Sequence, residues 1–97
     1  MKQPIVYMIT NKPNGVLYIS VTSNLQSRMA QHQQKLVTGF SAKYGLEKLV
    51  YFEVHQEMYA AITREKQLKK WSKAKKEALI NNEFEKLPNL SKKNFNN

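Results

Sequence analysis

Two short runs of β-branched and aromatic side chains, Ile5 to Thr10 (IVYMIT) and Val16 to Val21 (VLYISV), flank Asn11-Lys12-Pro13-Asn14-Gly15 and commit the start of the chain to a β-hairpin. Pro13 presets a turn, and Asn14-Gly15 is read as taking the positive φ angles of a tight reversal. With Thr10 paired to Gly15, Tyr7 stands directly opposite Tyr18 and both hydroxyls emerge on one face; a slip of one residue separates them.

The rest of the chain alternates helix and strand signals. Thr22-Ser23-Asn24 offers N-cap residues for a helix of about fifteen residues, with Leu25, Met29, His32 and Leu36 on one face and Gly39 as its stop. Leu49 to Val54 (LVYFEV) reads as a third strand, buried by its composition. A second helix is expected from about Gln56 to Trp71, either continuing or breaking near Ser72 into another from Lys73 to Phe84. Ninety-seven residues support one hydrophobic core, so residues 1–87 are expected to form a single domain and residues 88–97 a flexible tail. The order β-β-α-β-α-(α) gives a small α/β (α+β) domain with a three-stranded sheet. The hairpin makes the first pair antiparallel, and spacing leaves the place of the third strand open.

The formal net charge of +9 directs attention to polyanions. Residues 60–97 carry ten basic and four acidic groups against six and three in residues 1–59, so the second half is the electrostatic footprint. The absence of cysteine excludes disulfides, a thiolate nucleophile and a Cys-type zinc site. Two histidines without an HExxH pattern argue against a His-rich metal centre. The start MKQPIVYMIT has no apolar h-region, and no apolar run approaches the ~20 residues of a spanning helix. The expectation is a cytoplasmic protein, nucleoid-associated if it meets DNA there, with no membrane partner.

Glu65 is the side chain that most needs explaining. At 100° per residue the apolar arc of the second helix runs from Trp71 through Leu68 and Ala61 to Ile62, and Glu65 falls inside it. Lys66, Lys70 and Lys73 lie outside the arc or at its margin, and Lys69 enters it. A carboxylate facing a core requires a partner: an ion pair with Arg28 or Lys69, or a cation held in the manner of Mg²⁺, which takes one carboxylate, waters and substrate phosphate. Arg28 sits one turn before His32 beside the first helix's apolar stripe. It is either a stem packed on the sheet or a planar fork for phosphate. His32 more often satisfies a core hydrogen bond than performs catalysis, and cross-strand tyrosines are usually packing residues.

Together these residues resemble the GIY-YIG nuclease superfamily, in particular its small stand-alone bacterial members, from Val6 to about Leu79. Val6-Tyr7 stands at the first motif and Leu17-Tyr18-Ile19-Ser20 at the second. The stretch from Val21 to His32 resembles the family helix with its Arg and later His, and Thr63 to Trp71 (TREKQLKKW) resembles the segment carrying the family's metal-binding Glu. FSAKY at Phe40 to Tyr44 and LVYFE at Leu49 to Glu53 add to the likeness.

The resemblance implies a three-stranded antiparallel sheet flanked by helices and hydrolysis of DNA phosphodiesters with one divalent cation, Mg²⁺ or Mn²⁺. It implies Glu65 as metal ligand, Arg28 on the scissile phosphate, Tyr7 or Tyr18 as proton acceptor and His32 assisting through a hydrogen bond. Expected nucleic-acid contacts are Arg28, Lys43, Arg64, Lys66, Lys69, Lys70 and Lys73. No separate DNA-reading module is present, so the cutting expected is structure-directed or nonspecific, in repair or recombination, with a partner protein as another route to recruitment. Ile5 and Ser20 stand where the two motifs have glycine. The alternative expectation, motivated by Ser20, is a nucleic-acid-binding module with impaired catalysis.

Overall fold

The computed structural model describes residues 3–12, 15–34 and 44–82. Its elements follow the expected order: β1 (Ile5–Thr10), β2 (Leu17–Thr22), α1 (Leu25–Gln33), β3 (Lys48–Val54), α2 (Met58–Lys69) and α3 (Lys73–Ile80). The sheet is antiparallel throughout, in the order β2-β1-β3. The central place of β1 explains its composition: Val6, Tyr7, Met8 and Ile9 are all fully buried, because helices cover both sides of the strand.

Alternation along β1 sorts the core into two layers. Tyr7 and Ile9 pack with Tyr18, Leu25, Met29 and Leu46 beneath α1. Val6 and Met8 point the other way, with Ile19, against Ala61 and Leu68 of α2 and Leu79 of α3. Among the described residues no helix is long and apolar enough to cross a membrane.

The hairpin forms with a longer loop than the sequence suggests. Thr10 pairs with Leu17 rather than Gly15, which sets Tyr7 opposite Ser20 and Tyr18 opposite Ile9. The shift is two residues, one full period of side-chain alternation, so both tyrosines keep the same face and become diagonal neighbours. The Thr10 hydroxyl donates to the Val16 carbonyl at 2.7 Å, and the Gly15 N–H donates to the Lys12 carbonyl at 2.9 Å, closing the loop.

Gly15 is required by close approach, since its φ is not positive. A Cβ there would lie 2.3 Å from Asn11 Oδ1 and 2.9 Å from the Lys12 carbonyl oxygen. Because the second obstacle is backbone, Gly15→Ala is expected to lower unfolding stability by about 1–3 kcal/mol in urea denaturation.

Three further elements refine the expectation, the second of them by choosing between its two alternatives. Helix α1 has nine residues, ending at exposed Gln33, and the positions of Leu36 and Gly39 fall outside the described residues. The second helix breaks at Ser72, whose hydroxyl accepts from the Lys75 N–H at 3.2 Å and so caps α3. The described part of α3 ends at Ile80, and Phe84 lies outside the described residues.

The third difference is β3, which is an edge strand and not a buried one. Phe52 and Val54 share the Tyr7 face but remain 51% and 50% exposed, because α1 packs over β1 and β2. The opposite face of β3 is anchored by charge. Glu53 accepts from the Tyr51 hydroxyl, His55 Nε2 (2.8 Å) and Arg64 Nε (2.8 Å), which ties the strand to α2. Burial pushes the Glu53 carboxyl up, but hydrogen bonds from Arg64, Tyr51 and His55 outweigh it, and its pKa falls below the ordinary 4.5.

A carboxyl depressed by folding stabilises the fold fully above its unfolded pKa and loses that contribution as pH falls through the folded value. Thermal denaturation is therefore expected to show stability falling as the pH drops below about 4.5. Glu53→Gln is expected to flatten that dependence and cost about 1–3 kcal/mol at neutral pH, through unpaired donors on Arg64 and Tyr51.

Candidate active site

The residues that could perform chemistry gather where α1 folds back over the Tyr7 face of the sheet. The Thr22 hydroxyl accepts from the Asn24 N–H at 3.1 Å, and Asn24 Oδ1 caps α1 by accepting from the Ser27 N–H at 3.1 Å. This turn directly after β2 carries Leu25 and Met29 onto the sheet and leaves Arg28 and His32, one turn apart, beside the two tyrosines.

The Tyr7 hydroxyl lies 2.8 Å from His32 Nε2 in a buried hydrogen bond. Both tyrosine rings meet the imidazole edge to face, with centroids 5.8 Å (Tyr7) and 6.0 Å (Tyr18) from it. Burial lowers the His32 pKa from 6.5, and the nearby Arg28 charge lowers it further. The imidazole is therefore neutral at pH 7, and in the tautomer protonated at Nδ1 the Tyr7 hydroxyl donates to Nε2.

Burial raises the Tyr7 pKa above 10 although Arg28 and Ser20 approach closely enough to pull it down. The Ser20 side chain, opposite Tyr7 in the sheet, therefore takes part in this cluster. Tyr7 is fully sealed at 0% exposure, whereas Tyr18 and Arg28 are half-buried and form the side that opens on solvent.

Glu65 belongs to a different neighbourhood. It lies on α2 between Ala61 and Leu68, which pack on the opposite face of the sheet. Its side chain is 17% exposed and pairs with Lys69 Nζ at 2.9 Å, one of the two partners the sequence allowed. Among the described residues its ion pair runs to Lys69 and not to Arg28. Ile62, placed in the apolar arc by periodicity, is 38% exposed.

No cluster of three or more acidic or histidine side chains occurs among the described residues, so a cation here draws on Glu65 as a single carboxylate. That donor set suits Mg²⁺, which completes its shell with water and substrate phosphate. Lys69, 53% exposed, can swing into solvent and release the carboxylate.

The basic residues divide into two kinds. Arg64 is engaged inside the fold, bound to Glu53 and Gln67 and lying 5.3 Å from the Trp71 ring centre. Lys66, Lys70 and Lys73 are exposed, and Lys43 lies outside the described residues.

The Tyr51-Glu53-His55 row is absent from the sequence reading. A carboxylate inside LVYFEV with polar rings two residues to either side was its visible signal, since i−2, i and i+2 share a strand face.

A family model described as the GIY-YIG catalytic domain matches residues 3–78, most of the chain. Comparison with curated proteins and with solved structures gives no match.

Proposed function

The chain belongs to the GIY-YIG family, whose catalytic domain supports a nuclease-type function on DNA, and from that membership we propose that it is a divalent-metal-dependent endonuclease. The observation that carries the reading is the buried Tyr7-His32 hydrogen bond with the Arg28 guanidinium beside it.

Tyr7 and His32 act as one proton-handling unit. A phenol with a raised pKa cannot persist as a phenolate, so Tyr7 takes a proton from the attacking water only as its own proton passes to neutral His32. The water oxygen then forms a bond to phosphorus, the bond to the leaving oxygen breaks, and solvent protonates the leaving group. Because Tyr7 is sealed, that water arrives from the half-open side, where Tyr18 orients it and Arg28 neutralises charge growing on the phosphate.

Glu65 holds the divalent cation, Mg²⁺ or Mn²⁺. Bound there, the cation would supply positive charge to a phosphate that comes within reach of Glu65. Exposed Lys66, Lys70 and Lys73 extend the contact along the DNA backbone. In this reading cutting is directed by DNA structure or is nonspecific, since lysine contacts to the DNA backbone carry no sequence information.

The test is incubation with nicked, branched and single-stranded DNA with Mg²⁺ or Mn²⁺, read as cleavage products on denaturing gels. Ser20 favours a second reading, a binding module with impaired catalysis, since its side chain hydrogen-bonds with the Tyr7 hydroxyl and fills space that a glycine would leave to water or phosphate. Ser20→Gly is expected to raise the cleavage rate several-fold with DNA affinity unchanged. A protein inactive both as wild type and as Ser20→Gly, yet binding DNA, belongs to the second reading.

A further inference from the structure

We infer that the groove between α2 and α3 binds an unpaired nucleic-acid strand, with its phosphates on Lys66, Lys70 and Lys75 and a base stacked on Tyr59. The inference rests on the DNA-directed reading above and adds a site away from Tyr7 and Arg28.

The groove follows from the periodicity of α2. Tyr59, Thr63, Lys66 and Lys70 fall within a ~60° arc on the side opposite Ala61, so burying Ala61 and Leu68 against the sheet turns this stripe outward. The break at Ser72 then folds α3 back, and Trp71 and Lys75 form the second wall of a groove of about 660 Å³. Among the described residues its lining holds three lysines and no carboxylate.

Trp71 stiffens this wall. Its ring packs against the core cluster, with Arg64 at 5.3 Å and Lys75 Nζ at 4.0 Å from its centre, which holds the lysine in place. Arg64 is spent on Glu53, so the charge available to a ligand is that of the lysines.

Tyr59 points to a ligand with a flat apolar surface. A tyrosine left 77% exposed in a lysine-lined groove joins a stacking platform to phosphate-binding charges, the combination that retains single strands. A duplex keeps its base faces stacked and closed to the ring. A flat lipid surface does not enter a groove, and α2 exposes Ile62 there without a continuous apolar stripe. Tyr7, His32 and Arg28 lie under α1 on the other face of the sheet, and Glu65 faces the sheet from the inner side of α2 rather than the groove, so the strand held here is a different segment of a branched or flapped substrate from the one being cut.

Trp71 is the only tryptophan in the chain, so its fluorescence reports directly on occupancy. The full-length protein is titrated with short oligothymidylate, inorganic polyphosphate and phosphatidylserine vesicles, all in EDTA so that no cleavage occurs. Oligothymidylate is expected to quench Trp71 saturably, with affinity falling as salt rises at a log-log slope of about −2 for three phosphate contacts.

Tyr59→Ala is expected to weaken oligothymidylate about ten-fold and to leave polyphosphate unchanged, because polyphosphate has no base to stack. Lys66→Gln with Lys70→Gln is expected to weaken both. Circular dichroism verifies that these exposed variants fold.

Tyr59→Ala binding oligothymidylate like wild type overturns the proposal, as does tighter binding to vesicles than to oligothymidylate at equal salt. Binding in the groove without cleavage of any DNA overturns the endonuclease reading alone. Cleavage with an unresponsive groove overturns the groove alone.

Discussion

Glu65→Ala is expected to reduce Mg²⁺- or Mn²⁺-dependent DNA cleavage by at least about 10³-fold while the protein folds with near-normal stability. Removing the carboxylate deletes the one acidic group that the α2 stripe turns toward the sheet, which is the proposed ligand of the cation. The fold has little to lose, because the Lys69 partner is 53% exposed and an ion pair so solvated contributes at most ~1 kcal/mol.

Glu65→Asp separates a ligand role from a structural one. The shorter carboxylate should recover part of the cleavage at high Mn²⁺ concentration and none of it without metal. Unchanged cleavage by Glu65→Ala would remove the residue from the reaction, and the pair with Lys69 would then be its whole role.

The second large effect is expected from the Tyr7-His32 pair and is best read as a pH profile. Burial and Arg28 hold the His32 pKa below 6.5, and only the neutral ring can take the Tyr7 proton. kcat/KM should therefore rise with pH through an apparent pKa below 6.5 and stay level above it. Tyr7 offers no second limb in the neutral range, since burial places its own pKa above 10.

His32→Ala and Tyr7→Phe should each lower kcat by about 10²–10⁴-fold and abolish the acid limb. The double variant should be little worse than either single one, because the two side chains work as one unit. If Tyr18→Phe removes the acid limb and Tyr7→Phe keeps it, the proton-accepting role passes to Tyr18.

Much of the architecture could be read from local patterns. The two β-runs announced a hairpin, Thr22-Ser23-Asn24 the start of α1, and Ser72 one of the two courses open to the second helix, because turn chemistry and capping act over three or four residues. Buried Ala61 and Leu68 confirm the inner stripe of α2, and with it the placement of Glu65 toward the sheet.

The misreadings have a common origin. LVYFEV has the composition of a buried strand, but whether a strand is central or at the edge depends on what covers it. The loop after Thr10 is two residues longer on its far side than a Thr10–Gly15 pairing gives, since the register there answers to packing against α1 as well as to the turn.

The motif spacings identified the family, and periodicity alone placed a carboxylate on the inner face of a lysine-rich helix. Both depend on the order of residues along one element. Only the tertiary structure set Arg28 and Glu65 on opposite faces of the sheet, buried Tyr7 against His32, drew Ser20 into that cluster and bound Arg64 to Glu53. Each of these choices depends on the distance between side chains from different turns, strands or helices. Such distances are set when the two layers of the core close on β1, and no single segment carries that information.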